Sequence, residues 1–449
     1  MSFTDLNLNK PLLQALEDLG FSTPTTIQQK AFAPIMAGKD VLGIAQTGTG
    51  KTLAYLIPMI RLWQFSKKKN PELLILVPTR ELVMQVVEQF QEIAKYTNLI
   101  AVGTYGGANI KSQMAEIAKG ADVVVGTPGR LNDLIMNRTI SSKLVKRLVI
   151  DEVDEMLKLG FRAEIKNLLD LLPDRRQTMM FSATITEDID ALVTKEFSRA
   201  ERIETAATGT PLSSIKQVAY RTPNFNTKIN FLAFLLKKDK AMKKVLVFAG
   251  NKRVADAVNR ELEFQFPNQV AVIHGNKSQN TRFKTVDQFE SGECRVLIAS
   301  DLIARGLDVT EVSHVINVNI PDAPEDYIHR IGRTGRADKK GVAISMFTET
   351  EKEQMMAIEA LMGKKISIAK MPDEVEVSTI LTSEEEKKPG MKIIQVRQPK
   401  VADRGLAFHD KKNKNKKVPI KVSREDKKRL KLGKRYGTTH GGLGKKKNR

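Results

Sequence analysis

Eight residues, Ala45-Gln46-Thr47-Gly48-Thr49-Gly50-Lys51-Thr52, gather two glycines, three hydroxyls and a lysine in one short stretch. An apolar, strand-like segment, Val41-Leu42-Gly43-Ile44, precedes it, and a helical pattern from Leu53 to Trp63 follows. A turn of this kind between strand and helix aims backbone N–H groups and the positive helix end at an anion. In such a phosphate loop Lys51 reaches the β- and γ-phosphates, and the Thr52 hydroxyl can ligate Mg²⁺. Gly48 and Gly50 let the backbone come close to the phosphates. Ala45 stands where the generic pattern has Gly. A purely structural Gly-rich turn is the plain alternative. The Gly-Lys-Thr triplet, with correct flanks on both sides, favours a nucleoside triphosphate site.

A second group of reactive residues ends an apolar run, Leu148-Val149-Ile150-Asp151-Glu152. Carboxylates at the C-terminal end of a buried strand sit where open α/β sheets bind ligands. Asp151 is suited to hold Mg²⁺ through its water shell, opposite Lys51 and Thr52. Glu152 can orient and deprotonate an attacking water. Taken alone, an acid pair of this kind is as often a solvated edge. Asp151-Glu152-Val153-Asp154 also spells a caspase cleavage sequence, which a buried strand end would hide from a protease.

These residues need a scaffold that brings loop and strand ends together, and the hydrophobic pattern predicts one. Residues 1–206 alternate strand-like and helix-like stretches, with strands at Val41–Ala45, Leu73–Val77, Ile100–Tyr105, Asp122–Gly126, Leu148–Asp151 and Thr178–Phe181. Near-continuous apolar strands with helices between them predict an α/β fold built on a doubly wound parallel sheet. Residues 207–214 read as a linker, small, polar and broken by Gly209 and Pro211. A second series follows over residues 215–370, with strands at Val245–Ala249, Val270–His274, Arg295–Ser300, His314–Asn319 and Gly341–Phe347. It reads as a duplication of the first, without a phosphate loop of its own, so one nucleotide is expected rather than two. The pattern fades over 371–449, a Lys-rich tail too poor in large apolar residues to offset ordering entropy, and therefore expected to be disordered when free.

Length and composition agree with that division. A chain of 449 residues suggests two or three domains. The net charge of +21 is unevenly placed, for residues 387–449 hold 23 Lys or Arg against 4 Asp or Glu. A polyanionic partner anchored by the tail is implied. The longest apolar runs are strand-sized, so no membrane span is expected. The single cysteine, Cys294, excludes an internal disulfide and suits a reducing compartment. The first residues lack a basic stretch followed by an apolar one, so no secretory signal is expected, and the cytoplasm is the default location.

With these residues in view, the chain resembles the DEAD-box RNA helicases, with matches spread from Phe3 to about Phe347. The tetrad that names the family reads Asp151-Glu152-Val153-Asp154, with Val153 in place of the usual Ala. Val removes no ligand, so activity is expected to survive. Upstream, Phe3 and Gly20-Phe21-Ser22-Thr23-Pro24-Thr25-Thr26-Ile27-Gln28 resemble the family's adenine-reading motif. The resemblance implies that Phe21 stacks on the base and that Gln28 offers it an acceptor and a donor, a bidentate logic familiar from base readout. By itself this stretch would read as a helix-capping loop with a core Phe.

Pro78-Thr79-Arg80-Glu81-Leu82, Gly106-Gly107 and Thr127-Pro128-Gly129-Arg130 resemble the family's first-domain RNA motifs, implying contacts from Arg80, Gly107, Thr127 and Arg130. Such groups at loop and helix starts suit phosphate contact without sequence readout. Ser182-Ala183-Thr184 resembles the motif that couples hydrolysis to strand separation, which implies that the Ser182 and Thr184 hydroxyls bond Asp154. In the second half His274-Gly275, Gln279 and Arg282, then Ser300-Asp301 and Ala304-Arg305-Gly306-Leu307-Asp308, resemble later motifs. They imply RNA contacts from Arg282 and Ser300 and an ATP ribose contact from Asp308. Val247-Phe248-Ala249-Gly250-Asn251 departs from the usual pattern and receives no contact.

Tyr327-Ile328-His329-Arg330-Ile331-Gly332-Arg333-Thr334-Gly335-Arg336 is the most specific stretch of the second half. Arginines at three-residue spacing could form a solvated helix face. The resemblance makes Arg333 and Arg336 arginine fingers toward the γ-phosphate, a role worth about 10³–10⁵ in rate. It implies two tandem RecA-like domains, ATP and Mg²⁺ as cofactors, and single-stranded or short duplex RNA as partner with little sequence specificity. The basic tail is similar to those of bacterial members that remodel ribosomal RNA or act in the cold. An anchor to structured RNA such as rRNA and a targeting segment both remain open for it. A DNA-translocating helicase and an RNA clamp that scarcely turns over are the rival readings.

Overall fold

The computed structural model describes residues 2–46, 48–63, 70–185, 189–192, 200–205, 214–300, 309, 312–335, 340–382 and 385–386. The packed unit ends at Glu386. The expected linker 207–214 lies outside the described residues except for Ser214, as does all of 387–449.

Seven short strands form the first sheet: β1 (Val41–Ile44), β2 (Leu73–Leu76), β3 (Ala101–Thr104), β4 (Val123–Gly126), β5 (Arg147–Ile150), β6 (Gln177–Ser182) and β7 (Glu201–Glu204). Their order is β3-β4-β2-β5-β6-β1-β7, and every neighbouring pair is parallel. Four-residue apolar strands alternate their side chains between two faces. Val41, Leu73, Ile75, Val149 and Phe181 enter one core with the helices Thr26–Met36, Lys51–Arg61 and Arg80–Ile93. Leu42, Leu74, Leu76, Leu148 and Met180 enter the other, against the helices Pro128–Met136 and Arg162–Leu171. Burial on both faces is what the unbroken apolar runs require. One close approach is reserved by glycine: a Cβ on Gly43 of β1 would meet the Phe181 ring at 2.5 Å.

The second sheet comprises β8 (Ile215–Arg221), β9 (Val245–Ala249), β10 (Val270–Ile273), β11 (Val296–Ser300), β12 (His314–Asn317), β13 (Gly341–Phe347) and β14 (Ser367–Ala369). It is again wholly parallel, in the order β10-β11-β9-β12-β13-β8-β14. Each strand occupies the place of the strand seven earlier in the first sheet, so the two lobes share one topology. The strand after which the first lobe places its phosphate loop is β1, and its counterpart is β8. There the chain turns through Thr222-Pro223-Asn224 into the helix Phe225–Lys238, with Asn224 Oδ1 capping Thr227 N at 2.8 Å. No glycine-rich loop stands at that turn.

Three strands went unforeseen in the sequence, and each lies at or near a sheet edge. β7 carries Glu201, Arg202 and Glu204, β14 is mostly exposed, and β8 mixes Lys216, Gln217 and Arg221 with apolar residues. Edge strands are kept polar because an apolar edge would invite aggregation. The boundary expected at residue 370 also shifts. Beyond it the chain runs along the helix Phe225–Lys238: Asn230 Nδ2 donates to Glu376 O at 3.0 Å, Asn226 Nδ2 to Ile380 O at 2.8 Å, and Phe225 N to Glu385 Oε1 at 2.6 Å. Val375 is buried in the core of the second lobe, with Val245, Val247 and Ile316. Side-chain bonds to backbone carry this packing, which hydrophobic periodicity does not register.

Candidate active site

Gly50 adopts φ +85°, as the residue before the helix Lys51–Arg61, and Gly48 adopts φ +81°. Both lie in the left-handed region that glycine enters without penalty. Thr49 closes the turn on Gln46 O through its hydroxyl at 2.7 Å, and Ala45 N bonds Ser182 O at 3.0 Å. Thr47 lies outside the described residues. Lys51 is 6% exposed, yet its ammonium has no hydrogen-bond partner among the described residues. A buried, unpaired cation on this scale is costly unless an anion meets it. The loop, the helix end and this cation together suit a polyphosphate.

Gln28 ties the neighbouring motif to the loop. Its Oε1 accepts from Thr25 N at 2.9 Å, forming a capping box, and its Nε2 donates to Gly50 O at 3.1 Å. A Cβ on Gly50 would collide with that amide. Each end of Gln28 is therefore engaged, leaving one N–H and one lone pair toward a base edge. Phe21 is 45% exposed, a free ring rather than a core residue.

Asp151 and Glu152 follow β5 directly. Asp151 Oδ2 accepts from the Tyr55 hydroxyl and Oδ1 from Glu152 N, both at 2.9 Å. Tyr55 was not foreseen, although it stands four residues after Lys51 and so on the same helix face. Burial pushes the Asp151 carboxyl upward in pKa, against the pull of Lys51 and the two hydrogen bonds. Thr52 and Asp151 offer a hydroxyl and a carboxylate, the hard oxygen donors that Mg²⁺ takes while keeping several waters. Among the described residues no cluster of three or more His, Cys, Asp or Glu could hold a metal by itself.

Glu152 sits at φ +51°, a conformation that non-glycine residues seldom adopt. A side chain held there costs on the order of 1–3 kcal/mol, and such strain gathers at functional sites. Burial raises its carboxyl from 4.5 to about 7, while the charges of Lys51 and Arg333 pull it down and Asp151 and Glu155 push it up. Arg333, on the second lobe and 3% exposed, thus acts on Glu152 of the first. Arg330 is equally buried, its Nη1 donating to Asn317 Oδ1 at 3.0 Å and Asn319 O at 2.6 Å. A solvated arginine face is excluded for both. Arg336 and Asp308 lie outside the described residues.

Asp154 lies beneath, 2% exposed. Its Oδ2 accepts from Thr184 N at 3.2 Å and Thr184 Oγ1 at 3.0 Å. Ser182 does not reach it: its hydroxyl donates to Thr184 O at 2.6 Å and shapes the turn instead. Burial raises the Asp154 carboxyl, but His329, Lys51 and Thr184 outweigh it and hold the pKa low. His329 comes from the second lobe, with Nε2 3.7 Å from Asp154 Oδ2 and Nδ1 3.2 Å from Glu155 Oε1. Its role was not assigned from sequence. The signal was present, since it stands four residues before Arg333 in the helix Pro324–Ile331 and the turn that follows.

The expected RNA residues are brought together in part. The Arg80 guanidinium packs over Gly107, where any Cβ would collide with it, and its Nη1 donates to Gln279 Oε1 of the second lobe at 3.3 Å. Gln279 Nε2 and Arg282 Nη2 both meet Glu81 Oε1, at 3.0 and 2.5 Å. Arg282 is thus an inter-lobe ion pair in this structure. Arg130 is buried and holds the loop before the helix Ile110–Lys119, donating to Gln113 Oε1 at 2.6 Å and Ala108 O at 3.0 Å. Thr127 precedes the helix Pro128–Met136, and Ser300 ends β11, both nearly buried.

Comparison with known proteins agrees with the fold. The DEAD/DEAH box helicase family model matches residues 25–192, and the helicase conserved C-terminal domain model matches residues 227–338. The chain is 36% identical over 381 residues to the DEAD-box ATP-dependent RNA helicase RhpA of Helicobacter pylori, covering 85% of this chain and 76% of that protein. It is 35% identical over 376 residues to the RNA helicase CrhR of Synechocystis, covering 84% and 76%. Among solved structures, S. cerevisiae Dbp5 bound to RNA and ADP BeF3 matches with a TM-score of 0.76 at 29% identity, over 83% of this chain and 96% of that one. Mss116p bound to ssRNA and AMP-PNP matches with a TM-score of 0.76 at 26% identity, over 82% and 78%. Two RecA-like lobes with one phosphate loop define a superfamily of nucleotide-driven motors. Within it, this chain belongs to the DEAD-box RNA helicase family.

Proposed function

We propose that this protein is an RNA-dependent ATPase that couples ATP hydrolysis to local separation of short RNA duplexes. The observation that carries the reading is that the second lobe reaches the turn that carries Glu152: His329 stands 3.7 Å from Asp154 Oδ2 and 3.2 Å from Glu155 Oε1, and the charge of Arg333 bears on Glu152 beside that of Lys51. Lys51 and the loop Ala45–Thr52 bind the triphosphate, Phe21 and Gln28 the adenine side, and Asp308 the ribose. Glu152 takes a proton from the attacking water, and a carboxyl near neutrality is well matched to that task. Arg333 and Arg336 stabilise charge that develops on the γ-phosphate. Mg²⁺, held through Thr52 and Asp151, would neutralise phosphate charge.

Arg80, Gly107, Thr127, Arg130, Arg282 and Ser300 line the RNA path, and Asp154 with Thr184, steadied by Ser182, transmits the state of the nucleotide. Because ATP and RNA each favour the same joined arrangement of lobes, each strengthens the other's binding. The tail anchors structured RNA such as rRNA, and the work belongs to ribosome assembly or RNA turnover in the cytoplasm. Turnover with RNA and with DNA decides the class: Lys51→Ala or Glu152→Gln abolishes RNA-stimulated hydrolysis, and equal stimulation by DNA would contradict the proposal.

A further inference from the structure

The far edge of the second sheet carries a groove that the nucleotide chemistry does not use. Phe347 at the end of β13, Met355 and Met356 of the helix Lys352–Met362, and Ile368 of β14 form its floor. Its volume is about 710 Å³, ample for several side chains of a ligand. Met356 and Ile368, which both line it, are 60% and 62% exposed. Strand β14 is last in its sheet, so its outer backbone edge pairs with no described strand.

The charge around this floor is one-sided. Arg221, Lys352, Lys364 and Lys365 outnumber Glu349 and Glu359. Both acids are already engaged: Glu349 meets Arg221 at 2.5 Å and Lys352 at 3.7 Å, while Glu359 Oε1 accepts from Ile366 N at 2.8 Å. Lys364 and Lys365 are exposed and form no ion pair with a described residue. Thioether and aliphatic side chains make an adaptable floor for apolar side chains. They offer no open ring on which a base could stack, because Phe347 is 4% exposed. That favours a peptide over RNA.

We propose that the groove docks an extended acidic segment of a partner protein, added as a strand along β14. Its backbone would pair with the free edge, its apolar side chains would cover Met356 and Ile368, and its carboxylates would meet Lys364 and Lys365. A displayed library of random peptides selected on the full chain tests this. Enriched sequences should combine apolar residues with Asp or Glu. Their affinity should fall about tenfold or more for Ile368→Asp and for the double variant Lys364→Glu, Lys365→Glu. RNA-stimulated ATPase of both variants should match the parent, which also reports that they fold. No enrichment, enriched peptides that bind the variants equally well, or protection of Lys364 and Lys365 by single-stranded RNA in place of peptide would each overturn the proposal.

Discussion

Lys158 of the first lobe and Asp326 of the second meet at 2.8 Å, Nζ to Oδ1, with both side chains largely withdrawn from solvent. The pair lies two residues beyond the buried Met156 and three before His329, so it borders the contact between the Asp-Glu-Val-Asp turn and the helix Pro324–Ile331. A partly buried pair of this geometry has a coupling of about 1 kcal/mol. Lys158→Glu should raise the RNA concentration for half-maximal ATPase about three- to tenfold, with kcat little changed. Adding Asp326→Lys should recover most of that loss. A swap that recovers nothing would show the pair to be incidental.

Glu152→Gln separates chemistry from stability. The folded carboxyl is raised from 4.5 to about 7, so the folded state holds the proton more tightly than the unfolded chain does. Above pH 7 the parent therefore carries the cost of a half-buried, partly desolvated carboxylate, and Gln does not. The variant should unfold at a higher temperature than the parent at pH 8, and this advantage should vanish as pH falls toward 4.5. The parent's hydrolysis should decline as pH drops through about 7, because the base becomes protonated. Thermal melts and rate–pH profiles read the two effects independently.

Tyr55→Phe removes the hydroxyl that donates to Asp151 Oδ2 at 2.9 Å in a fully buried setting. Losing one charge-assisted hydrogen bond costs about 1.5–3 kcal/mol. The variant should need more Mg²⁺ for half-maximal hydrolysis while keeping its circular-dichroism spectrum. An unchanged Mg²⁺ requirement would make Tyr55 a packing residue only.

Val153→Ala restores the residue usual at the third position of the tetrad. Val153 is completely buried in the core with Met156, Ile165 and Leu168. Removing two methyl groups there should destabilise the chain by about 1–2 kcal/mol. Hydrolysis should stay within about threefold of the parent, since no ligand changes. Chemical denaturation and steady-state ATPase check the pair of outcomes.

Deleting residues 387–449 removes 23 basic residues while leaving the packed unit intact. The fall of log affinity with log salt should flatten by about 0.7 for each phosphate that the tail neutralises. ATPase without RNA should be unchanged. An identical salt slope would remove the tail from RNA binding and favour a targeting role.

Much of this protein was legible in its sequence because its signals are local. The phosphate loop depends on Gly48, Gly50 and Lys51 in one turn, and Asp151 and Glu152 end a strand whose apolar run announces it. Parallel strands buried on both faces cannot be mistaken for edges, so both sheets could be foreseen from β1, β2, β5 and β9. The tertiary structure alone decided which side chains meet across distance. It put Tyr55 on Asp151, set His329 between Asp154 and Glu155, and spent Arg282 on Glu81. It also gave residues 371–382 to the second lobe through bonds to Asn224, Asn226 and Asn230. Backbone conformation and apolar periodicity act over a few residues and are written in order along the chain. Charge pairing and side-chain hydrogen bonds act through space, and only the folded arrangement of the two sheets selects among the partners the sequence allows.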